Sequence, residues 1–68
     1  MTPSPVWRQP DGTPVSCREK LKVLLENHLE LAQVMTDAFE DAVLMGVDEA
    51  AMRQMLTEMV ACLRKPGA

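Results

Sequence analysis

Apolar side chains recur every three or four residues from Leu21 to Met45, and few folds can accommodate such a row. The row consists of Leu21, Leu24, His28, Leu31, Met35, Ala38, Ala42 and Met45. A second row beside it consists of Leu25, Ala32 and Phe39. Only His28 is not apolar, and the spacing is typical of a long amphipathic helix that packs against other helices. The sequence therefore predicts an all-α fold.

The first helix is predicted over residues 17–45. Ser16 and Glu19 match the capping box, in which a serine oxygen accepts from the third amide of the helix and the glutamate reaches back. No glycine or proline follows until Gly46, which suits the left-handed residue that ends many helices. The helix should therefore be about 44 Å long, at 1.5 Å per residue.

A second helix is predicted over residues 49–64. Asp48 is a natural N-cap for this helix, and Pro66 should end it. Because one residue, Val47, separates the two cap positions, the helices must form an antiparallel hairpin. We therefore expect a helical hairpin domain over residues 16–65.

Residues 1–15 are predicted to form a flexible, proline-rich tail. They contain four prolines and a turn sequence at residues 11–14, both of which disfavour regular structure. Trp7 is the largest apolar side chain of this segment, and it leaves two alternatives open. Either the tail is a disordered leader, or Trp7 anchors it on helix surface that nothing else covers.

The unequal lengths of the two helices predict self-association. The second helix should reach back only to about Leu31, so the N-terminal half of the first helix lacks a partner. The apolar surface left there, which we call the leucine seam, consists of Leu21, Leu24, Leu25, His28 and Leu29. Burying one leucine contributes about 1.5–3 kcal/mol, so this seam should be covered. We expect a homodimer that forms a four-helix bundle, with cover by a different protein as the alternative.

Methionines and carboxylates indicate a second surface. The methionines predicted to bind an unidentified protein partner are Met45, Met52, Met55 and Met59. Methionine adapts to irregular surfaces, and a loosely filled core is the alternative interpretation. Asp37, Glu40 and Asp41 form an acidic cluster that is either a solvated face or a docking surface for a basic partner.

Three residues are candidates for chemistry. His28 and Cys62 are the candidates for a metal or cofactor site, but the local spacing of zinc motifs is absent. A packed histidine and a buried, apolar-like cysteine explain them better, so we expect no metal and no cofactor. Cys17 stands where a helix dipole lowers a thiol pKa, and it is either reactive or an ordinary first-turn residue.

Charge and composition limit the class of function. A net charge of −3 disfavours nucleic-acid binding, although the expected architecture resembles small two-helix RNA-binding regulators of plasmids without sharing a residue motif. One histidine and no catalytic arrangement predict a protein that is not an enzyme. No segment is apolar enough to span a membrane or to act as a signal peptide, and a cytoplasmic location is expected.

The functional prediction is a small intracellular interaction protein, acting as an adaptor, chaperone or regulator through a homodimeric helical hairpin. A metal- or cofactor-binding bundle is the first alternative. A nucleic-acid-binding hairpin is the second, and the acidic charge disfavours it.

Overall fold

The predicted pair of helices joined by a short turn is confirmed in the computed structural model, which describes residues 5–67. Helix α1 spans Arg18–Leu44 and helix α2 spans Glu49–Ala61. The only extended pairing among the described residues is one isolated β-bridge near the N-terminus. The chain divides into two compact units between Leu31 and Ala32. We call them the N-terminal unit and the C-terminal unit, and α1 contributes to both.

The turn after α1 is closed by a Schellman motif. Gly46 adopts a φ of +98°, the left-handed conformation that glycine reaches without strain. Its N–H donates to the Val43 carbonyl at 3.0 Å, and the Val47 N–H donates to the Ala42 carbonyl at 2.9 Å. These two bonds satisfy carbonyls that the end of a helix otherwise leaves without a partner.

Helix α2 begins as predicted but ends three residues early. The Asp48 carboxylate accepts a hydrogen bond from the Ala51 N–H at 2.9 Å, which confirms the predicted N-cap. The helix ends at Ala61, with Cys62 as its C-cap, so the predicted end at residue 64 is wrong. Pro66 gives the physical reason, since it has no N–H for the Cys62 carbonyl and its ring would clash with that carbonyl in a continued helix.

The start of α1 differs by one residue from the predicted capping box. The Leu21 N–H donates to the Cys17 carbonyl at 2.9 Å, and Arg18 is the first helical residue. Cys17 therefore occupies the cap position, and the prediction that Ser16 caps this helix is wrong. Both Ser16 and Cys17 can offer a side-chain acceptor to the first helical amides, so the local sequence did not show which of them occupies the cap position.

Before α1, the chain turns back on itself instead of extending as a featureless tail. Arg8 and Pro14 form an antiparallel bridge, and the Val15 N–H donates to the Trp7 carbonyl at 2.8 Å. We call residues 5–15 the N-terminal loop. Residues 5–15 form no helix and no strand, as predicted, and the bridge is a local contact within the loop. Its flexibility stays a prediction, and residues 1–4 of the predicted tail lie outside the described residues.

A single carboxylate organises the tip of the N-terminal loop. Asp11 accepts hydrogen bonds from the Thr13 N–H at 3.0 Å and from the Thr13 hydroxyl at 2.6 Å. Gly12 follows Asp11 with a φ of +91°, and the Arg8 guanidinium donates to the Gly12 carbonyl at 2.9 Å. The aspartate-glycine turn signal read from the sequence is therefore realised as a local hydrogen-bonded turn.

In the C-terminal unit the second part of α1 packs against α2. The Arg53 guanidinium lies 4.6 Å from the centre of the Phe39 ring, and Met35 lines a shallow groove with Leu56 and Val60. Because lower-numbered residues of α1 meet higher-numbered residues of α2, the two helices run antiparallel. The hairpin is therefore the fold of this unit.

The buried core of the described residues is small. It contains Ala42 from α1 and Met52 from α2, each only 8% exposed. Both belong to the C-terminal unit, and no described side chain of the N-terminal unit is buried to that degree. A core of two side chains leaves much apolar surface available for contacts with other molecules.

Candidate functional site

The leucine seam divides into a covered part and an open part. Leu21, Leu24 and His28 are half-buried, whereas Leu25 is 45% exposed and Leu29 is 60% exposed. The two open leucines are four residues apart and therefore lie on one edge of α1. The structure brings the predicted seam residues onto one helix, but Leu25 and Leu29 offer the most surface to a second molecule.

Trp7 supplies part of the cover over the N-terminal half of α1. Its ring centre lies 6.1 Å from that of His28, with the two rings at 83° in an edge-to-face arrangement. Such pairs contribute about 0.5–1.5 kcal/mol beyond the area they bury. Trp7 therefore anchors the N-terminal loop on the helix. This is the second of the two alternatives that the sequence left open.

Val15 is a contact residue that the sequence did not single out. It leads from the N-terminal loop into α1 and lines a shallow apolar groove together with Val23 and Leu24. The sequence did contain a signal for such a contact, because Val15 and Trp7 are large apolar residues in a segment that has few others. They cover α1 at separate points and leave the edge with Leu25 and Leu29 open.

The candidate metal residues have other roles in the structure. Among the described residues there is no group of three or more histidine, cysteine or acidic side chains able to hold a metal ion. His28 packs edge-on against Trp7. Cys62 is exposed, so the expectation of a buried Cys62 is wrong. The early end of α2 is the reason, because Cys62 follows the helix as its cap instead of lying within it.

Cys17 is exposed at the cap of α1. Hydrogen bonds from the backbone N–H of Lys20 and then of Glu19 hold the pKa of the Cys17 thiol below its ordinary value, and the Lys20 charge adds to this effect. These donors lower the pKa because they stabilise the thiolate more than the thiol. The expected direction of the shift agrees with the structure, while reactivity of Cys17 stays a prediction.

The predicted methionine surface also divides into two parts. Met45, Met55 and Met59 are exposed, whereas Met52 is one of the two core residues. Including Met52 in a partner surface was therefore wrong. It lies four residues before the half-buried Leu56, so both point along the face of α2 that meets α1. Partner binding by the other three methionines stays a prediction.

Comparison with known proteins adds no relative. No protein-family model matches the chain, and no curated protein or solved structure matches it. Neither helix in the described part of the chain combines the length and the apolar content that crossing a membrane requires. Function is therefore inferred from the surfaces of the molecule itself.

Proposed function

We propose that this chain is a small protein-interaction module that acts as a homodimer and serves as an adaptor, chaperone or regulator of another protein. One observation carries the proposal. Leu25 and Leu29, four residues apart on one edge of α1, are 45% and 60% exposed, and no described residue buries them. Burying one leucine contributes about 1.5–3 kcal/mol, so two exposed leucines forfeit several kcal/mol that a second molecule can supply.

Leu25 and Leu29 are the natural centre of the contact because the N-terminal loop leaves them exposed. Two copies of α1 packed antiparallel about a two-fold axis would bring these edges together. The proposed assembly is then a four-helix bundle.

A cytoplasmic, non-enzymatic role is part of the same proposal. Both cysteines are exposed thiols that form no disulfide, which suits a reducing compartment. The single histidine packs against Trp7, an arrangement that serves the fold more directly than proton transfer. These observations support the proposal beside the exposure of Leu25 and Leu29.

The test compares the oligomeric state of the intact chain with that of two double variants. Leu25→Glu with Leu29→Glu removes the proposed centre of the dimer. Asn27→Glu with Lys20→Gln makes the same change in net charge at exposed positions of α1. Sedimentation equilibrium measures the dimer dissociation constant, and circular dichroism checks that each variant remains helical.

We expect the intact chain and the charge control to be dimers. The leucine variant should dimerise at least about 100-fold more weakly, since each leucine contributes about 1.5–3 kcal/mol on burial. A monomeric intact chain would contradict the homodimer. A leucine variant that dimerises as tightly as the control would show that the interface lies elsewhere.

A further inference from the structure

The hairpin of the C-terminal unit has two broad sides, and Arg53 distinguishes them. Its guanidinium lies over the Phe39 ring, so these two residues mark the same side. Successive residues of a helix are rotated by about 100°. By that rotation Met55 and Met59 lie along the edge of α2 away from Arg53. Val34 lies on the edge of α1 away from Phe39. So does Met45, whose N–H still donates to the Asp41 carbonyl as in a continued helix. These four residues therefore share the side of the hairpin opposite Arg53 and Phe39.

That opposite side is largely apolar. We call it the methionine face, and it consists of Val34, Met45, Met55 and Met59. Each of these side chains is at least half exposed, from 51% for Met55 to 79% for Met45. Val34 and Met45 are eleven positions apart on and just after α1, a span of about 16 Å or three helical turns. The face is long enough for one short helix of a partner.

Carboxylates border the methionine face on both helices. Asp37 follows Val34 by three residues, and Asp41 precedes Met45 by four. Glu58 follows Met55 by three residues on α2. Residues at these spacings are neighbours on a helix surface. An apolar strip with an acidic border is therefore presented to solvent.

The side chains that donate hydrogen bonds to this border are neutral amides. Asp37 accepts from the Gln33 amide at 2.9 Å, and Glu58 accepts from the Gln54 amide at 3.3 Å. Both donors are neutral and leave the carboxylate charge in place. Residues 32–67 contain six carboxylates against three cations. Arg53 lies over Phe39 on the other side of the hairpin, and Arg64 and Lys65 follow the end of α2. The potential over the methionine face is therefore negative.

This charge argues against a second copy as the occupant. Two methionine faces in contact would bring carboxylates against carboxylates, which disfavours association. An occupant with an apolar stripe between positively charged residues would instead match both the apolar centre and the acidic border. Helices lie in apolar grooves by such a stripe, with anchors at helical spacing, and methionine adapts to different anchors.

We propose that the methionine face binds a basic amphipathic helix of another protein, about three turns long. Apolar anchors of that helix pack on Met55 and Met59, and its lysines or arginines reach Asp41 and Glu58. This inference rests on the proposed function, since it names the class of partner that the interaction module recognises. The leucine seam is left for self-association.

The first test uses the full chain and three amidated peptides of about 14 residues, or four helical turns. One carries leucines at helical spacing between lysines, the second replaces each lysine by glutamate, and the third scrambles the leucine-lysine sequence. Calorimetry measures their dissociation constants, and sedimentation measures the oligomeric state in the same samples. We expect the first peptide to bind at least about tenfold more tightly than the others, with an affinity that falls as salt rises.

Matched variants then locate the site. Met59 and Val60 are adjacent and equally exposed, at 61%, but lie on opposite sides of the hairpin. Met59→Gln should weaken binding of the leucine-lysine peptide about tenfold, and Val60→Gln should change it less than about twofold. Asp41→Asn should reduce the salt dependence of binding, while Glu40→Gln on the Phe39 side should leave it unchanged.

Several outcomes would overturn the inference. Equal weakening by Met59→Gln and Val60→Gln would place the peptide elsewhere, and equal binding of the three peptides would show no recognition of a basic amphipathic helix. If Met59→Gln weakened the dimer instead of peptide binding, a second copy would occupy the face. A dimer that binds no peptide would refute this inference alone, whereas a monomer that binds the first peptide would refute the homodimer alone.

Discussion

Helix α1 is covered in two different ways along its length. In the N-terminal unit an irregular loop lies on it, and Leu21, Leu24 and His28 are only half-buried. In the C-terminal unit a second helix lies on it, and Ala42 and Met52 are buried. A helix presents a regular row of side chains to its partner, whereas the loop reaches α1 through separate residues such as Trp7 and Val15. Regular structure therefore buries an apolar stripe more completely than a loop of similar length.

The difference also separates the surfaces that are available to other molecules. The loop leaves an edge of α1 open at Leu25 and Leu29, where a second copy is proposed to pack. The hairpin buries its inner face and leaves the methionine face, with its acidic border, on an outer side. The stability of the fold should therefore depend mainly on the hairpin, which holds both buried side chains.

The largest expected effect is the loss of the Met52 side chain. Met52→Ala should lower the free energy of unfolding by about 2–3 kcal/mol, because it removes buried apolar atoms and leaves a cavity in a core of two side chains. Urea unfolding followed by circular dichroism at one protein concentration measures the change.

Met59→Ala is the matched control, since it makes the same chemical change at an exposed position of the same helix. We expect it to alter the free energy of unfolding by less than about 0.5 kcal/mol. Equal destabilisation by the two substitutions would mean that Met59 is also buried in solution, and the contrast between the core and the methionine face would be lost.

A smaller effect is expected from one glycine substitution made in each unit. Gly46 and Gly12 have φ angles of +98° and +91°, and a Cβ added at either would meet no atom within 4 Å. Their substitution by alanine therefore tests backbone strain alone. Gly46→Ala should cost about 1–2 kcal/mol in the free energy of unfolding, because the left-handed residue closes the hairpin.

Gly12→Ala introduces similar strain, but in the N-terminal loop. We expect the loop to rearrange locally, with a change in the fluorescence of Trp7, the only tryptophan, and a change in unfolding free energy below about 0.5 kcal/mol. If Gly12→Ala lowered the free energy of unfolding as much as Gly46→Ala, the loop and the hairpin would unfold together as one cooperative unit.

Local chemistry explains which parts of this fold could be predicted. Gly46 and Asp48 act through their own backbone and side-chain preferences, so the turn and the start of α2 were evident from the sequence. The end of α2 was misplaced because Pro66 acts four residues upstream, on the Cys62 carbonyl. The cap of α1 was misplaced because adjacent residues offered similar acceptors.

Tertiary features were harder to predict because they depend on contacts between segments. Helical spacing placed Met52 and Met59 in one stripe, but only the rotation of α2 against α1 decides which of them is buried. The hydrogen-bonded turn of the N-terminal loop was hard to predict because its prolines disfavour helix and strand but permit such a turn. The pairing of Trp7 with His28 required the path of that loop, which no periodic pattern records.

The smallest expected effect concerns Asp11 at the tip of the N-terminal loop. The hydrogen bond from the Thr13 hydroxyl, followed by that from the Thr13 N–H, holds the pKa of Asp11 below its ordinary value. A carboxylate whose pKa is lower in the folded loop stabilises that loop fully above the pKa of the open state. This stabilisation is lost as the pH falls through the lower, folded value. Trp7 fluorescence should therefore stay constant around neutral pH. It should change only when the pH falls far enough to protonate the Asp11 carboxylate of the folded loop.

Thr13→Val removes the hydroxyl but keeps the backbone donor, so it should raise the pKa of Asp11 and move the fluorescence change to higher pH. Asp11→Asn should abolish this acid transition, which makes it the control. Because Asp11 is exposed, the effect on global unfolding should be too small to detect, unlike the effect of Met52→Ala. If Thr13→Val left the transition unchanged, the hydrogen bonds at the loop tip would not persist in solution, and the loop would touch α1 without a fixed turn of its own.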